Sequence, residues 1–172
     1  LIPSRQALIA IKPNMVLPSP PGEGATTHPE VVAGIIEYLH ENGYTNIEII
    51  ESSWAGARTP AAYEAIGFNA LSRQYDVPLY DLKRDTSSTV QSHGLRLEIC
   101  DRALAADFFI NVPVLKAHCQ TLFTCALKNL KGIIPDSEKR RYHTLGIHEP
   151  VAKLAAAFAQ QLVVVDGICG DL

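Results

Sequence analysis

Short apolar runs alternate with helical-period stripes along most of this chain. Ala7–Ile11 (ALIAI) is continuously apolar, the pattern of a strand buried on both faces. A loop rich in Pro and Gly, Leu17–Thr27, separates it from a predicted helix. Thr27 or His28 caps that helix, and Pro29 or Glu30 occupies its first turn. Val31, Val32, Ile35, Ile36 and Leu39 recur at helical spacing up to the stop at Asn42-Gly43. Ile47–Ile50 reads as a second buried strand, so the unit implies parallel pairing through a right-handed crossover.

The pattern continues less cleanly. Short helices are predicted at Pro60–Ile66 and Asn69–Tyr75, and a strand at Pro78–Leu82. Lys83–Gly94 is polar and reads as a surface loop or edge hairpin. Leu95–Cys100 reads as a strand, Asp101–Ala105 as a short helix and Asp107–Val112 as a further buried strand. Helices are predicted at Ala117–Leu130 and His148–Gln160, and a last strand at Leu162–Val165. The expected fold is α/β: one doubly wound domain over residues 1–172, with a mostly parallel sheet and helices on both faces.

Composition narrows the class. With 172 residues, 47% of them hydrophobic and 19% charged, the chain has the balance of a globular domain. A net charge of −3 argues against nucleic acid or an anionic membrane as partner. No apolar run approaches the roughly 20 residues of a bilayer span. The total conceals one local feature, the concentration of basic residues from Lys128 to Arg141. Cys100, Cys119, Cys125 and Cys169 are too scattered for a disulfide scaffold, so reduced thiols and a cytoplasmic location are expected. No C-x-x-C run is present, so no cofactor and no iron–sulfur cluster are expected within the chain. The chain opens at Leu1 without a leader, and a core-like strand lies close to its end. It is expected to be part of a longer protein.

Ligands of open α/β sheets bind beyond the carboxyl ends of the strands. The first strand delivers Lys12 and Asn14 there, followed by Thr26, Thr27 and His28 at a helix start. The second delivers Ser52 beside Glu51, the Phe108–Val112 strand delivers Lys116 and His118, and the last delivers Asp166. The Gly/Pro loop itself fits neither GxxxxGK[ST] nor GxGxxG.

The densest chemistry lies between His118 and His143. On the predicted helix, His118, Thr121, Cys125 and Asn129 fall within an arc about 80° wide. Lys128 and Lys131 flank it, and Gly132 ends it. Two neighbouring lysines depress each other's pKa and suit either proton transfer or an anion grip. A metal is not expected, because His118, Cys119, Cys125, His143 and His148 lack H-x-x-x-H or C-x-x-C spacing. A cysteine nucleophile is disfavoured because about 10 Å of helix would separate Cys125 from His118. Glu138-Lys139-Arg140-Arg141 reads as a solvated loop face.

These pieces together resemble a bacterial and archaeal family known as domain of unknown function 362. The matching segments are KPNMV from Lys12, GATTHPEVV from Gly24, Glu51-Ser52, NVPVLKAH from Asn111, ALKNLKG from Ala126, His143, and VVVDGI from Val163. The resemblance implies a soluble α/β domain, often fused to a ferredoxin-like module with two 4Fe–4S clusters. Such clusters would sit in that fused module, since this chain has none of its cysteine runs.

The leading functional expectation is a domain that binds a small phosphorylated or carboxylated metabolite, in its finer form a redox-linked enzyme domain. Lys12, Lys116, Lys128 and Lys131 would hold the anion, and Asn14, Thr27, Ser52 and Asn129 would orient it. His28, His118 or His143 would move a proton. The alternative is a non-catalytic electron-transfer or assembly module. It would dock a ferredoxin-like domain, in cis or in trans, through Lys139–Arg141.

Overall fold

The computed structural model describes residues 2–170. Five parallel strands form the central sheet: β1 (Ile9–Pro13), β2 (Ile47–Glu51), β3 (Leu79–Asp81), β6 (Phe108–Val112) and β9 (Leu162–Val163). Their order is β3-β2-β1-β6-β9, so the chain winds outward from β1 in one direction and then returns to build the other half. The reversal point lies between β1 and β6, where loops leaving the two strands part and open a crevice.

One face of the sheet packs Ile9, Ile11, Ile49, Phe108 and Ile110 against α1 (Pro29–Glu41), α2 (Thr59–Ile66) and α3 (Phe68–Tyr75). The other packs Ala10, Ile50 and Phe109 beneath α4 (Asp101–Ala105), α6 (Asp136–Thr144) and α7 (His148–Ala157). Both faces are covered, which is why the strands read as apolar runs rather than alternating ones. The doubly wound α/β expectation is therefore correct. Among the described residues no helix is long and apolar enough to cross a membrane.

Lys83–Gly94 contributes β4 (Ser87–Ser92) to an antiparallel hairpin with β5 (Leu95–Cys100), outside the main sheet. Leu97 and Ile99 anchor it to the second face, and Ser92 Oγ donates to the Lys153 carbonyl of α7.

Two predicted elements differ. Ala117–Leu130 is not one helix. It is a hairpin of β7 (Lys116–His118) and β8 (Leu122–Thr124), followed by the short α5 (Ala126–Asn129) and a 3-10 turn, Leu130–Ile133. The predicted helix rested on the spacing of polar residues. Its apolar members Leu122, Phe123 and Leu127 form no buried stripe and are exposed in the fold. The His118 ring also takes up the free N–H groups of the turn, with Nδ1 accepting from Gln120 N at 3.1 Å and Thr121 N at 3.3 Å. Second, Glu138–Arg141 is not a solvated loop face but part of α6, with Glu138 and Lys139 buried.

Candidate functional site

Lys12, near the carboxyl end of β1, is fully buried beside Asn111 of β6. A lysine there requires partners for all three ammonium hydrogens. It has them: Nζ donates to Glu51 Oε2 at 2.7 Å, to the Pro13 carbonyl at 2.8 Å and to Asn129 Oδ1 at 3.0 Å. Burial pulls the Lys12 pKa down, and the Glu51 carboxylate opposes that pull. Glu51 in turn accepts from Ser52 N at 2.7 Å and Met15 N at 3.3 Å.

The chain of bonds continues sideways. Asn129 Nδ2 donates to Asn111 Oδ1 at 2.7 Å, and Asn111 Nδ2 donates to Gln160 Oε1 at 2.6 Å. One buried polar network thus ties the carboxyl ends of β1, β2 and β6 to α5. Such networks rigidify a core when every member is satisfied.

Above this floor lies a concavity of about 660 Å³. The β7–β8 hairpin and α5 form one wall, Met15 and Val16 beyond β1 form part of another, and the Ser52–Ala55 loop stands opposite. Every residue expected at the site lines it except Thr27 and His28. Lys12, His118 and Lys128 therefore share one cavity, although the helical arc that suggested the grouping does not exist. The hairpin and the 3-10 turn bring them together instead.

The lining residues divide by what they have left to offer. Lys12, Ser52 and Asn129 are engaged in the floor. Lys116 is buried and donates to the Ala25 carbonyl, holding the Gly/Pro loop to the hairpin. Lys128 and Lys131 are only half-buried. Burial lowers the Lys128 pKa to about 8, aided by Lys131 and Lys116; burial likewise lowers Lys131 to about 8, aided by Lys139. Among the described residues no carboxylate pairs with either. Lys131 Nζ lies 3.0 Å from His143 Nε2, so the ammonium donates and the imidazole accepts.

Burial, reinforced by Lys128 and Lys116, holds His118 below the usual histidine range. With Nδ1 accepting from the turn, the neutral ring carries its hydrogen on Nε2. His118 thereby presents a donor at the cavity wall. His143 is also lowered, by burial first and then by Lys131 and Lys128.

His28 and Thr27 serve the scaffold. His28 Nδ1 and backbone N both lie 2.8 Å from Asp166 Oδ2, fastening the start of α1 to the chain after β9. Thr27 Oγ1 donates to the Val112 carbonyl at 2.8 Å and accepts from Asn14 N at 2.7 Å, joining the loops at the reversal point. Thr27→Val is expected to cost about 2 kcal/mol in urea unfolding, since it orphans two buried backbone groups. Anion affinity should stay within about twofold. Loss of affinity without loss of stability would return Thr27 to the ligand.

Sequence reasoning missed Trp54, gave Glu51 no role, read Gly132 only as a helix stop and placed Lys139 on a solvated face. Lys139 Nζ donates to the Ser52 and Ser53 carbonyls at 2.8 and 2.7 Å, and it also bonds Ser52 Oγ and Asp136. It clamps the Ser52–Ala55 loop, and its position one helical turn after Asp136 was the available signal. A second concavity of about 600 Å³ lies on the α1 face, among residues such as Val31, Ile35 and Phe108, and no Asp, Glu, Lys, Arg, His or Cys lines it. Among the described residues no group of three His, Cys, Asp or Glu is arranged to hold a metal.

By sequence the chain is similar to a thylakoid-associated protein of Synechocystis sp., at 30% identity over 166 residues. That stretch is 93% of this chain and 51% of the relative, so the chain spans about half the relative's length. By structure it is similar to the lactate racemase apoprotein from Thermoanaerobacterium thermosaccharolyticum. The TM-score is 0.55 at 15% identity, covering 76% of this chain and 31% of the other, a likeness of fold. A family model matches residues 9–172, and the chain belongs to the family described as Domain of unknown function (DUF362).

Proposed function

We propose that the cavity at the carboxyl ends of β1, β2 and β6 binds a small anionic metabolite, phosphorylated or carboxylated. One observation carries this reading: Lys128 and Lys131 stand half-buried at the cavity wall, with no carboxylate partner among the described residues. Holding two desolvated cations side by side costs free energy that an incoming anion would offset. Glu51, the carboxylate that lines the cavity, has its oxygens taken by Lys12, Met15 N and Ser52 N. His118 Nε2–H adds a neutral donor, the kind of group that fixes a ligand's orientation. In the enzymatic form of this reading, the Lys131–His143 pair exchanges a proton with the bound molecule. The docking alternative is less well supported, because Lys139 is buried and Arg141 is paired with Glu138 at 2.6 Å.

Calorimetric titration with inorganic phosphate and a panel of small mono- and dicarboxylates tests the proposal. Lys128→Ala and His118→Ala should each weaken the best binder at least about tenfold while leaving the melting temperature near that of the parent. Variants that unfold without any specific loss of affinity would sink the reading.

The sign of the pH dependence follows from the lowered lysines. A carboxylate, whose own charge does not change near pH 8, binds the protonated amines, so its affinity should be level through neutral pH. It should fall as pH rises through about 8, roughly tenfold or more between about pH 7 and about pH 9.5. Binding in that window should take up protons, measurable as a dependence of the binding heat on the buffer's ionisation enthalpy.

A further inference from the structure

Trp54 is the only tryptophan of the chain. It lines the same cavity as Lys128 and Lys131, yet 56% of its surface is exposed. A large aromatic left more than half exposed beside a cation-lined cavity gains little from the hydrophobic effect. Its setting is nonetheless built. Trp54 N donates to the Val16 carbonyl at 3.2 Å, and Ala57 N donates to the Trp54 carbonyl at 2.8 Å. Lys83 Nζ donates to the Trp54 and Ala57 carbonyls at 2.9 and 2.8 Å and is itself fixed by Asp136 at 3.1 Å. Lys139 grips the two residues before it. The turn is stapled from three sides.

Gly56 supplies the seat for the ring. A Cβ at Gly56 would fall 2.1 Å from Trp54 Cζ3 and 2.4 Å from Cη2. Gly56 is not among the positive-φ glycines, so its backbone conformation does not call for glycine. The room for the indole does. An aromatic ring placed this way, on a stapled turn in a cationic cavity, has the form of a stacking platform.

We infer that the ligand of this cavity is an anion that also carries a planar ring, with Trp54 stacking on the ring while Lys128 and Lys131 hold the charged end. This rests on the anion-binding reading above and narrows its ligand class. The cavity volume of about 660 Å³ suits a molecule with both parts.

The test uses matched pairs: adenosine monophosphate against ribose phosphate, and nicotinate against acetate. Because Trp54 is the sole tryptophan, its fluorescence reports stacking directly, and calorimetry gives the affinities. In at least one pair the ring-bearing member should bind roughly tenfold or more tighter and quench the emission. Trp54→Ala should reduce that preference to about twofold or less, and Trp54→Phe should restore most of it. Gly56→Ala, which displaces the ring, should also reduce it. Equal affinity within each pair overturns the inference and leaves the anion-binding reading standing. A preference that survives in Trp54→Ala overturns it too. Absence of binding by all four probes overturns both.

Discussion

Gly132→Ala is expected to destabilise the protein by about 3–5 kcal/mol, although it adds a single methyl group. The new Cβ would lie 2.0 Å from Glu51 Oε1, 2.4 Å from Lys12 Cε and 2.6 Å from Lys12 Nζ. Long side chains usually swing away from such a contact. These two cannot, since Lys12 Nζ is held by three acceptors and Glu51 by two backbone N–H groups as well as by Lys12. The methyl group must therefore part a buried ion pair or lift the 3-10 turn off it. Lifting the turn would expose Leu130 and Ile133, which are fully buried against the second face of the sheet. Gly34→Ala, on α1 with nothing within 4 Å of its Cβ, is the matched control. It should be neutral or add up to about 1 kcal/mol. Urea unfolding of both variants decides the matter: a Gly132→Ala protein within about 1 kcal/mol of the parent would mean that the pair can slide apart at little cost.

The fold was legible because it is written in apolar periodicity. Ile9, Ile11, Ile49 and Ile110 announce strands covered on both faces, and the Val31–Leu39 stripe announces α1. The strand order was not legible, because register is set by side chains packing across the sheet rather than along it. The candidate residues stood out for a different reason, namely their polar and cationic character just after apolar strands, although Lys12, Lys116 and His28 prove to be tied into the scaffold. Most of them do line one cavity, but not by the helical geometry that suggested it. His118 and Lys128 meet across a hairpin and a helix start, not along one helix face.

Engagement was the property hidden from the sequence. A list of polar residues does not say which have hydrogen-bonding capacity to spare. Lys12 and Lys128 look alike in composition, yet Lys12 is saturated and Lys128 is not. Glu51, Lys139 and Gly132 gain meaning only from contacts of long sequence separation, such as the pairing of Ser52 with Lys139.

That difference makes Lys12→Met the most informative single substitution. The position of Lys12 at the end of the first predicted strand suggested a ligand contact, whereas the geometry makes Lys12 the keystone of the floor. Removing it leaves Glu51 buried without its cation and strips Asn129 Oδ1 and the Pro13 carbonyl of a donor. A loss of about 3–5 kcal/mol is expected in urea unfolding. Lys12→Met/Glu51→Leu should recover part of this, giving a coupling energy of roughly 2–3 kcal/mol in a double-mutant cycle. Recovery should stay incomplete, because Met15 N and Ser52 N would then lack their acceptor. Lys128→Ala should show the opposite profile, with near-native stability and weakened anion binding. A Lys12→Met protein that keeps its stability but loses the anion would reverse the assignment and place the Lys12 ammonium against the ligand. The two outcomes are separable in one pair of experiments, since a structural lysine and a ligand-holding lysine cannot give the same combination of unfolding free energy and affinity.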